Sequence, residues 1–338
     1  MIKRILYTLL IMFPVLASAQ INTDRVMAIG RNALYFEDYV LSIQYFNQVI
    51  NAKPYLSDPY FYRGLAKINL DDFQGAESDC SEAIERNPFV VSAYHVRGLA
   101  RIQQNNFAGA IEDYTKALEF DPENIGVWHN MALCRIRQED YKGAKNDLDK
   151  LIAISPRYTK AYLMRGEVDL KQKDTLAAEK DFGKAIEIDR YDADTWASRA
   201  ILRLQQQRYK DAEADFDHAI RLSTRNSGVY INRALARYHQ NNLRGAMSDY
   251  DIALDIDPNN FIGHYNRGLL RAQVGDDNRA IQDFNFVIEM EPDNMMAIFN
   301  RGLLLDQTGD YKGAIKDYST VINEYPNFLL GYQYRAQA

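Results

Sequence analysis

Small residues and large core residues recur along the chain every 34 positions. A first series of small residues consists of Gly30, Gly64, Gly98, Ala132, Gly166, Ala200, Ala234, Gly268 and Gly302. A second series consists of Ser42, Ala76, Ala110, Ala144, Ala178, Ala212, Ala246, Ala280 and Ala314. Four positions after each member stands Phe or Tyr, except for Cys80 and Leu148. Turn residues such as Asp71-Asp72 lie between the two series. Since residues four apart share one face of a helix, each period predicts two helices that small residues allow to pack closely.

A proline closes most of these periods, because its ring and its missing N–H end a helix. The series runs Pro54, Pro88, Pro122, Pro156, Pro258, Pro292 and Pro326. Arg190 and Thr224 occupy the two steps without proline, and Asn226-Ser227-Gly228 adds a loop signal after them. These junctions are either a hinge or ordinary variation between repeats, and both interpretations stay open.

The arrangement resembles the tetratricopeptide repeat family, whose unit of about 34 residues follows W-x2-L-G-x2-Y, then A-x3-F, then P. Its opening aromatic position is occupied by Tyr60, Tyr94, Trp128, Tyr162, Trp196 and Tyr230. The resemblance implies an all-α fold, a right-handed α-solenoid superhelix of about nine helix-turn-helix repeats, in which stacking buries the face that one repeat leaves open. The predicted repeats are 23–56, 57–90, 91–124, 125–158, 159–192, 193–226, 227–260, 261–294 and 295–328.

We expect residues 20–338 to form a single solenoid with a short helix over its C-terminal end. Residues 329–338 match only the opening helix of a repeat, and so short a helix is marginal on its own. We therefore expect a capping helix whose Leu330 and Tyr332 pack over the last repeat.

Residues 1–19 have the three parts of a secretory signal peptide. A basic start precedes an apolar run over 5–16, and Ala17-Ser18-Ala19 comes before a polar stretch. The run is broken by Pro14 and is too short to span about 30 Å of hydrocarbon, which disfavours the alternative of a membrane anchor. We expect cleavage after Ala19, no stable membrane insertion, and export of the mature chain to the bacterial periplasm or cell envelope.

The charge balance, the cysteine count and the absence of catalytic motifs limit the classes of function that the sequence supports. Lys and Arg number 40 against 46 Asp and Glu, a formal charge of −6, whereas a nucleic-acid-binding surface needs a basic excess. With only two cysteines, Cys80 and Cys134, the sequence has no disulfide framework, and we expect both to be buried thiols. His95 and His129 share a repeat position but lack the further ligands that a metal needs. No phosphate-loop, nucleophile-elbow or zinc-protease motif occurs, so we predict no catalytic residue, metal, cofactor or nucleic-acid partner.

Charged residues depart from the family pattern in a regular way. Arginine stands directly before the small residue of the first series in most repeats, and a second cation often follows four positions later. Two such cations share a helix face and repel, so we expect an anion between them. The second helices supply an aspartate at one position of each repeat from Asp79 to Asp317. We predict a ladder of structural ion pairs, with an anion-binding spine as the alternative. The ladder includes Arg97, Asp113, Arg199, Asp215, Arg233, Asp249, Arg267 and Asp283.

In the family, the first helices line a concave face, and the resemblance implies a peptide-binding groove there. Its predicted lining is Phe61, Leu65, His95, Leu99, His129, Leu235, Tyr238, Tyr265, Leu269 and Phe299. A partial asparagine ladder resembles the one by which some relatives hold a peptide backbone, and consists of Asn130, Asn232, Asn266 and Asn300. The alternative is that part of this stripe packs between neighbouring first helices, with asparagines that are solvated or locally bonded.

These features predict a non-catalytic scaffold that binds a peptide segment or partner protein in the concave groove, in cell-envelope assembly or secretion. Two alternatives stay open, a structural envelope protein that self-associates and a chaperone-like or regulatory export factor. Lys160 is the only cation at its repeat position. The carboxylate clamp by which chaperone-cofactor relatives hold C-terminal tails is therefore not expected. The sequence does not fix the oligomeric state.

Overall fold

The computed structural model describes residues 22–338, and the predicted signal peptide lies outside the described residues. Within that range the chain forms helices joined by short turns and contains no strand, which confirms the all-α class. In chain order the helices are α1 (Thr23–Tyr35), α2 (Tyr39–Ala52), α3 (Asp58–Ile68), α4 (Phe73–Arg86), α5 (Val91–Gln103), α6 (Phe107–Phe120), α7 (Ile125–Arg137), α8 (Tyr141–Ile154), α9 (Thr159–Lys171), α10 (Thr175–Ile188), α11 (Ala193–Gln205), α12 (Tyr209–Leu222), α13 (Ser227–His239), α14 (Leu243–Ile256), α15 (Phe261–Gln273), α16 (Asp277–Met290), α17 (Met295–Gln307), α18 (Tyr311–Glu324) and α19 (Leu329–Gln337).

The helices fall into two compact units, the first ending at Gln172 and the second beginning at Lys173. In each unit the first helix of a repeat packs on the second, as α5 does on α6 and α13 on α14. The second helix also packs on the first helix of the next repeat. First helices of successive repeats touch directly, as α3 touches α5 and α11 touches α13. They form one layer in each unit, called the first-helix face below: α1, α3, α5, α7 and α9 in the first unit, and α11, α13, α15 and α17 in the second.

The recurring small residues lie where the two helices of a repeat approach each other. A Cβ atom on Gly98 would lie 2.5 Å from Cε1 of Tyr114, and the Tyr114 side chain is fully buried. Gly302 has the same relation to Tyr318, at 2.9 Å. At Gly98 and Gly302 a side chain would have to displace the aromatic ring, which already fills the space in a close-packed interior.

A tight turn joins the two helices of each repeat and fixes where the second helix begins. The turn residue has a positive φ, between 59° at Asp71 and 89° at Gly309. In most repeats the next residue is an Asp or Asn that caps the second helix, as Asn242 does when its Oδ1 accepts the Gly245 N–H at 3.0 Å. Arg208 replaces this acceptor before α12, and no side-chain cap forms there. The polar turn residues of the sequence are thus left-handed and N-cap positions.

Helix α19 covers the last repeat through different residues from those predicted. Leu330 and Tyr332 are 48% and 40% exposed, whereas Gly331 is buried and Tyr334 packs against the last core cluster. The prediction was wrong in helix phase. Gly331 occupies the repeat position of buried Ala297, and this phase turns the neighbouring Leu330 and Tyr332 toward solvent.

Candidate functional site

Buried aspartates on the second helices hold cations of the first helices. Asp249, 1% exposed, accepts from Arg233 Nε at 2.9 Å and Nη2 at 2.6 Å, and from Arg237 Nη1 at 2.8 Å. The planar guanidinium thus meets both carboxylate oxygens, a geometry that lysine cannot match. The carboxylate also removes the repulsion between the two cations. Equivalent paired contacts join Arg63 to Asp79, Arg97 to Asp113, Arg199 to Asp215, Arg267 to Asp283 and Arg301 to Asp317.

The same arginines also reach the preceding repeat, a link that the predicted ladder did not contain. Arg233 Nη1 donates to Asp217 at 2.7 Å, and Arg237 Nε donates to Glu213 at 2.7 Å. Both acceptors lie on α12, whereas Asp249 lies on α14, so one first helix is joined to two second helices. The signal in the sequence is a polar residue 16 positions before each arginine at the repeat position of Arg233, with the exception of Arg199. These residues are Asn47, Ser81, Asp149, Asp217, Asp251, Asn285 and Ser319.

The ladder leaves few guanidinium donors for an external anion. Seven arginines at this repeat position bond the polar residue of the preceding repeat through Nη1. Arg199 differs because Gly183 stands 16 positions earlier and offers no side chain. Within residues 22–338, the hydrogen bonds of Arg199 go to Asp215 through Nε and Nη2, and none involves Nη1. An anion-binding spine along the whole ladder is therefore disfavoured, since most donors are already bonded.

Asp147 lacks the paired arginine contact, because Met131 occupies the arginine position. Arg135 Nη1 donates to Oδ1 of Asp147 at 2.6 Å, while Oδ2 is buried without a hydrogen-bond partner in the described chain. Burial raises the pKa of Asp147 to about 7, and the charge of Arg135 offsets this effect only in part.

Most of the predicted groove lining is half-buried on the first-helix face. Phe299 departs from the prediction at 8% exposed, because its ring packs on Phe328 and Tyr334 at centroid distances of 5.0 and 5.8 Å. Phe299 is therefore a core residue. Leu269 is 40% exposed. The half-buried residues are Phe61, Leu65, His95, Leu99, His129, Leu235, Tyr238 and Tyr265.

A cavity of about 520 Å³ lies on this face in the first unit. His129, Leu133 and Ile136 of α7 form one wall, and Met164 and Lys171 of α9 form the other. Adjacent first helices thus leave a recess large enough for a side chain between them.

Two of the four asparagines are bonded within the protein. Asn130 Nδ2 lies 3.2 Å from Nε2 of His95, and Asn300 Nδ2 donates to the Tyr265 hydroxyl at 3.1 Å. In both cases the partner lies 35 positions earlier, on the preceding first helix. These amides tie neighbouring first helices together.

Asn232 and Asn266 form no side-chain hydrogen bond within residues 22–338, and both are partly exposed. The residues 35 positions before them are Ala197 and Ile231, which have no polar side-chain atom to offer. Two amides at the same repeat position, on α13 and α15, are consequently free of internal partners.

Tetratricopeptide repeat models match residues 91–124, 125–158, 159–192, 198–261 and 265–327, together more than half of the chain. The chain belongs to the tetratricopeptide repeat family. No curated protein matches the sequence significantly.

Two solved structures share the fold of this tetratricopeptide repeat protein. A tetratricopeptide repeat protein from Parabacteroides merdae is 21% identical, with a TM-score of 0.56 over 74% of this chain and 98% of its own. The C-terminal part of a TPR repeat-containing protein from Cytophaga hutchinsonii is 17% identical, with a TM-score of 0.57 over 70% of this chain and 97% of its own. At these identities the likeness concerns the fold alone.

The reactive side chains of this tetratricopeptide repeat protein are shielded. Burial raises the pKa of Cys80 to about 12 and that of Cys134 to about 11, so neither carries the thiolate that a nucleophile needs. Burial lowers the pKa of His95, and burial with the charge of Lys160 lowers that of His129. Across residues 22–338, no three His, Cys, Asp or Glu side chains come together as metal ligands. No helix in that range is both long enough and apolar enough to cross a membrane.

Replacing Asp147 by Asn is expected to change how stability depends on pH. The folded pKa of about 7 lies above the value of about 3.9 in an unfolded chain. Between about pH 4 and pH 7 the folded chain holds a proton that the unfolded chain has lost, so the free energy of unfolding falls as pH rises through this window. The gain in that free energy from Asp147→Asn should be largest above about pH 7 and shrink toward about pH 4 in urea unfolding.

Asp249→Asn is the matched control. Two arginines hold Asp249, so the same change should destabilise the protein at neutral pH, where it removes the carboxylate that both arginines share. An Asp147→Asn effect that does not vary with pH would contradict the raised pKa.

Proposed function

We propose that this chain is an exported, non-catalytic scaffold that holds an extended segment of a partner protein on the first-helix face of its second unit. Tetratricopeptide repeats indicate a protein–protein interaction scaffold, and proteins of this family are generally non-catalytic.

The pair of unbonded amides on neighbouring first helices carries the proposal. Asn232 and Asn266 occupy the same repeat position on α13 and α15. Each amide has an acceptor oxygen and two donor hydrogens, which complement the N–H and C=O of a peptide unit. An extended chain that crosses α13 and α15 is therefore held by one asparagine per repeat.

Apolar surface beside the amides supports the same site. Leu235 and Tyr238 on α13 are half-buried, and Leu269 on α15 is 40% exposed. Covering such surface removes it from water at about 25 cal/mol per Å². The favoured occupant is a segment whose backbone meets the amides while apolar side chains lie along Leu235 and Leu269.

Export and a role in envelope assembly or secretion are proposed from the N-terminal sequence. A cleavable signal peptide over residues 1–19 would deliver a chain that begins at Gln20. Mass spectrometry of the protein isolated from its native host is expected to give Gln20 as the N-terminal residue, with the protein in the periplasmic or envelope fraction. A protein that retains Met1 and fractionates with the cytoplasm would contradict export.

Replacing Asn232 and Asn266 together by Ala is expected to weaken peptide binding. Peptides selected from a random library against the mature chain supply the ligand, and calorimetry measures its affinity. Losing two hydrogen bonds of about 1 kcal/mol each lowers the affinity by about tenfold or more. Helicity should not change, because neither amide has an internal partner.

Asn130→Ala with Asn300→Ala is the matched control. These changes remove internal hydrogen bonds, so they should lower thermal stability and leave the affinity unchanged. An equal affinity loss in both double variants, or none in the first, would reject the site. A library that yields no binder, together with mass that rises with protein concentration, would favour self-association instead.

A further inference from the structure

The second unit contains a cavity of about 600 Å³ away from the proposed peptide site. It is lined by side chains of α10, α11 and α12 and of the turn between α10 and α11. Gly183 lies on the α10 wall, and Trp196 and Arg199 lie on the α11 wall. His218 and Arg221 of α12 complete the side that faces α11.

The other repeats show which side-chain atom is missing beside this cavity. In the next repeat, Arg233 Nη1 donates to Oδ1 of Asp217 at 2.7 Å. Gly183 is the residue equivalent to Asp217, and Arg199 is equivalent to Arg233. A Cβ atom built on Gly183 meets no atom within 4 Å, so the glycine leaves both the space and the carboxylate position open beside Arg199.

Gly183 stands alone among the residues at its repeat position. Each of the other repeats carries a side-chain oxygen there. These residues are Asn47, Ser81, Thr115, Asp149, Asp217, Asp251, Asn285 and Ser319.

Two further departures from the repeat pattern add positive charge to the same cavity. Arg190 stands where most repeats have proline. Arg221 stands where five of the other repeats have Glu or Asp and the remaining three have the neutral residues Asn51, Ala153 and Asn323. Neither arginine side chain forms a hydrogen bond or ion pair within residues 22–338. Glu187, the carboxylate on the rim, is paired with Lys184 at 2.9 Å. The cavity is therefore cationic in a chain whose net charge is −6.

The remaining wall is aromatic and apolar. The Trp196 ring stacks on that of His218 at a centroid distance of 4.2 Å and an angle of 13°. Its indole N–H donates to the Arg190 carbonyl oxygen at 3.0 Å, which fixes the ring orientation. Ile186 and Leu222 add aliphatic surface. A ligand with an anionic end and an apolar body would match both parts of this wall.

We propose that this cavity binds an organic carboxylate, with one carboxylate oxygen on Nη1 of Arg199 and the apolar body of the ligand against Trp196. The ligand oxygen takes the place that Oδ1 of Asp217 has beside Arg233. Arg190 and Arg221 supply further charge for the carboxylate. Arg199 keeps its Nε and Nη2 contacts with Asp215, so binding requires no rearrangement of the ladder.

Nuclear magnetic resonance of the full mature chain, labelled with ¹⁵N, tests the site through its two tryptophan indole signals. Trp196 reports on the cavity, and Trp128, which lies in the first unit, is the internal control. The probes are phenylacetate, for a free organic carboxylate, and a capped Phe-Asp dipeptide, for an acidic segment of a protein. We expect a saturable shift of the Trp196 signal alone, and the tighter probe identifies the source of the carboxylate.

Gly183→Asp is the decisive variant, because it supplies the missing carboxylate from the chain itself. It should raise the melting temperature and lower probe affinity by about tenfold or more, as expected for loss of a charge-assisted hydrogen bond. Gly183→Ala is the matched control and should keep the affinity. Three results would overturn the proposal: no saturable shift with either probe, an equal loss in the Ala and Asp variants, or inorganic phosphate that binds as tightly as phenylacetate.

Discussion

The alignment of the helices in each unit depends on the neutralisation of buried charge between the two helix layers. An aspartate as buried as Asp249 would cost several kcal/mol as an isolated ion, and the paired cations of a first helix repel each other. Both costs are reduced when the carboxylate lies between Arg233 and Arg237. Apolar burial supplies most of the driving force, whereas these bridges select one register of each first helix against two second helices.

The places where the ladder is interrupted have properties that the regular repeats lack. Met131 replaces an arginine, and Asp147 is left with a raised pKa and a buried oxygen without a partner in the described chain. Gly183 replaces an acceptor, and Arg199 is left with an unbonded Nη1 atom beside a cavity. Because every repeat offers the same backbone frame, each exception can be compared with intact copies in the same molecule.

The helix pairs and most of the ion-pair ladder were predictable from the sequence, because a fixed period assigns residues to helix faces. The contact of Gly98 with Tyr114 and the pairing of Arg233 with Asp249 follow from that assignment. The helix face on which a residue lies does not specify which residue of a neighbouring helix it contacts. The partners of Asn130 and Asn300 depend on whether a polar residue stands 35 positions earlier. Leu330 and Tyr332, wrongly predicted to pack on the last repeat, lie about 100° on either side of buried Gly331 around the axis of α19.

A double-mutant cycle on Arg233 and Asp249 tests the central role of the bridges most directly. The free energy of unfolding is measured by urea for Arg233→Leu, for Asp249→Ala and for the double variant. Arg237 still holds Asp249 when Arg233 is removed, and Asp217 still holds Arg233 when Asp249 is removed. Each single change therefore takes one partner from a buried charge, and the double variant should lose less stability than the sum of the two, by about 1–3 kcal/mol. Losses that add to within about 0.3 kcal/mol would show that the two residues act independently, and would contradict the claim that this ion pair aligns the helices.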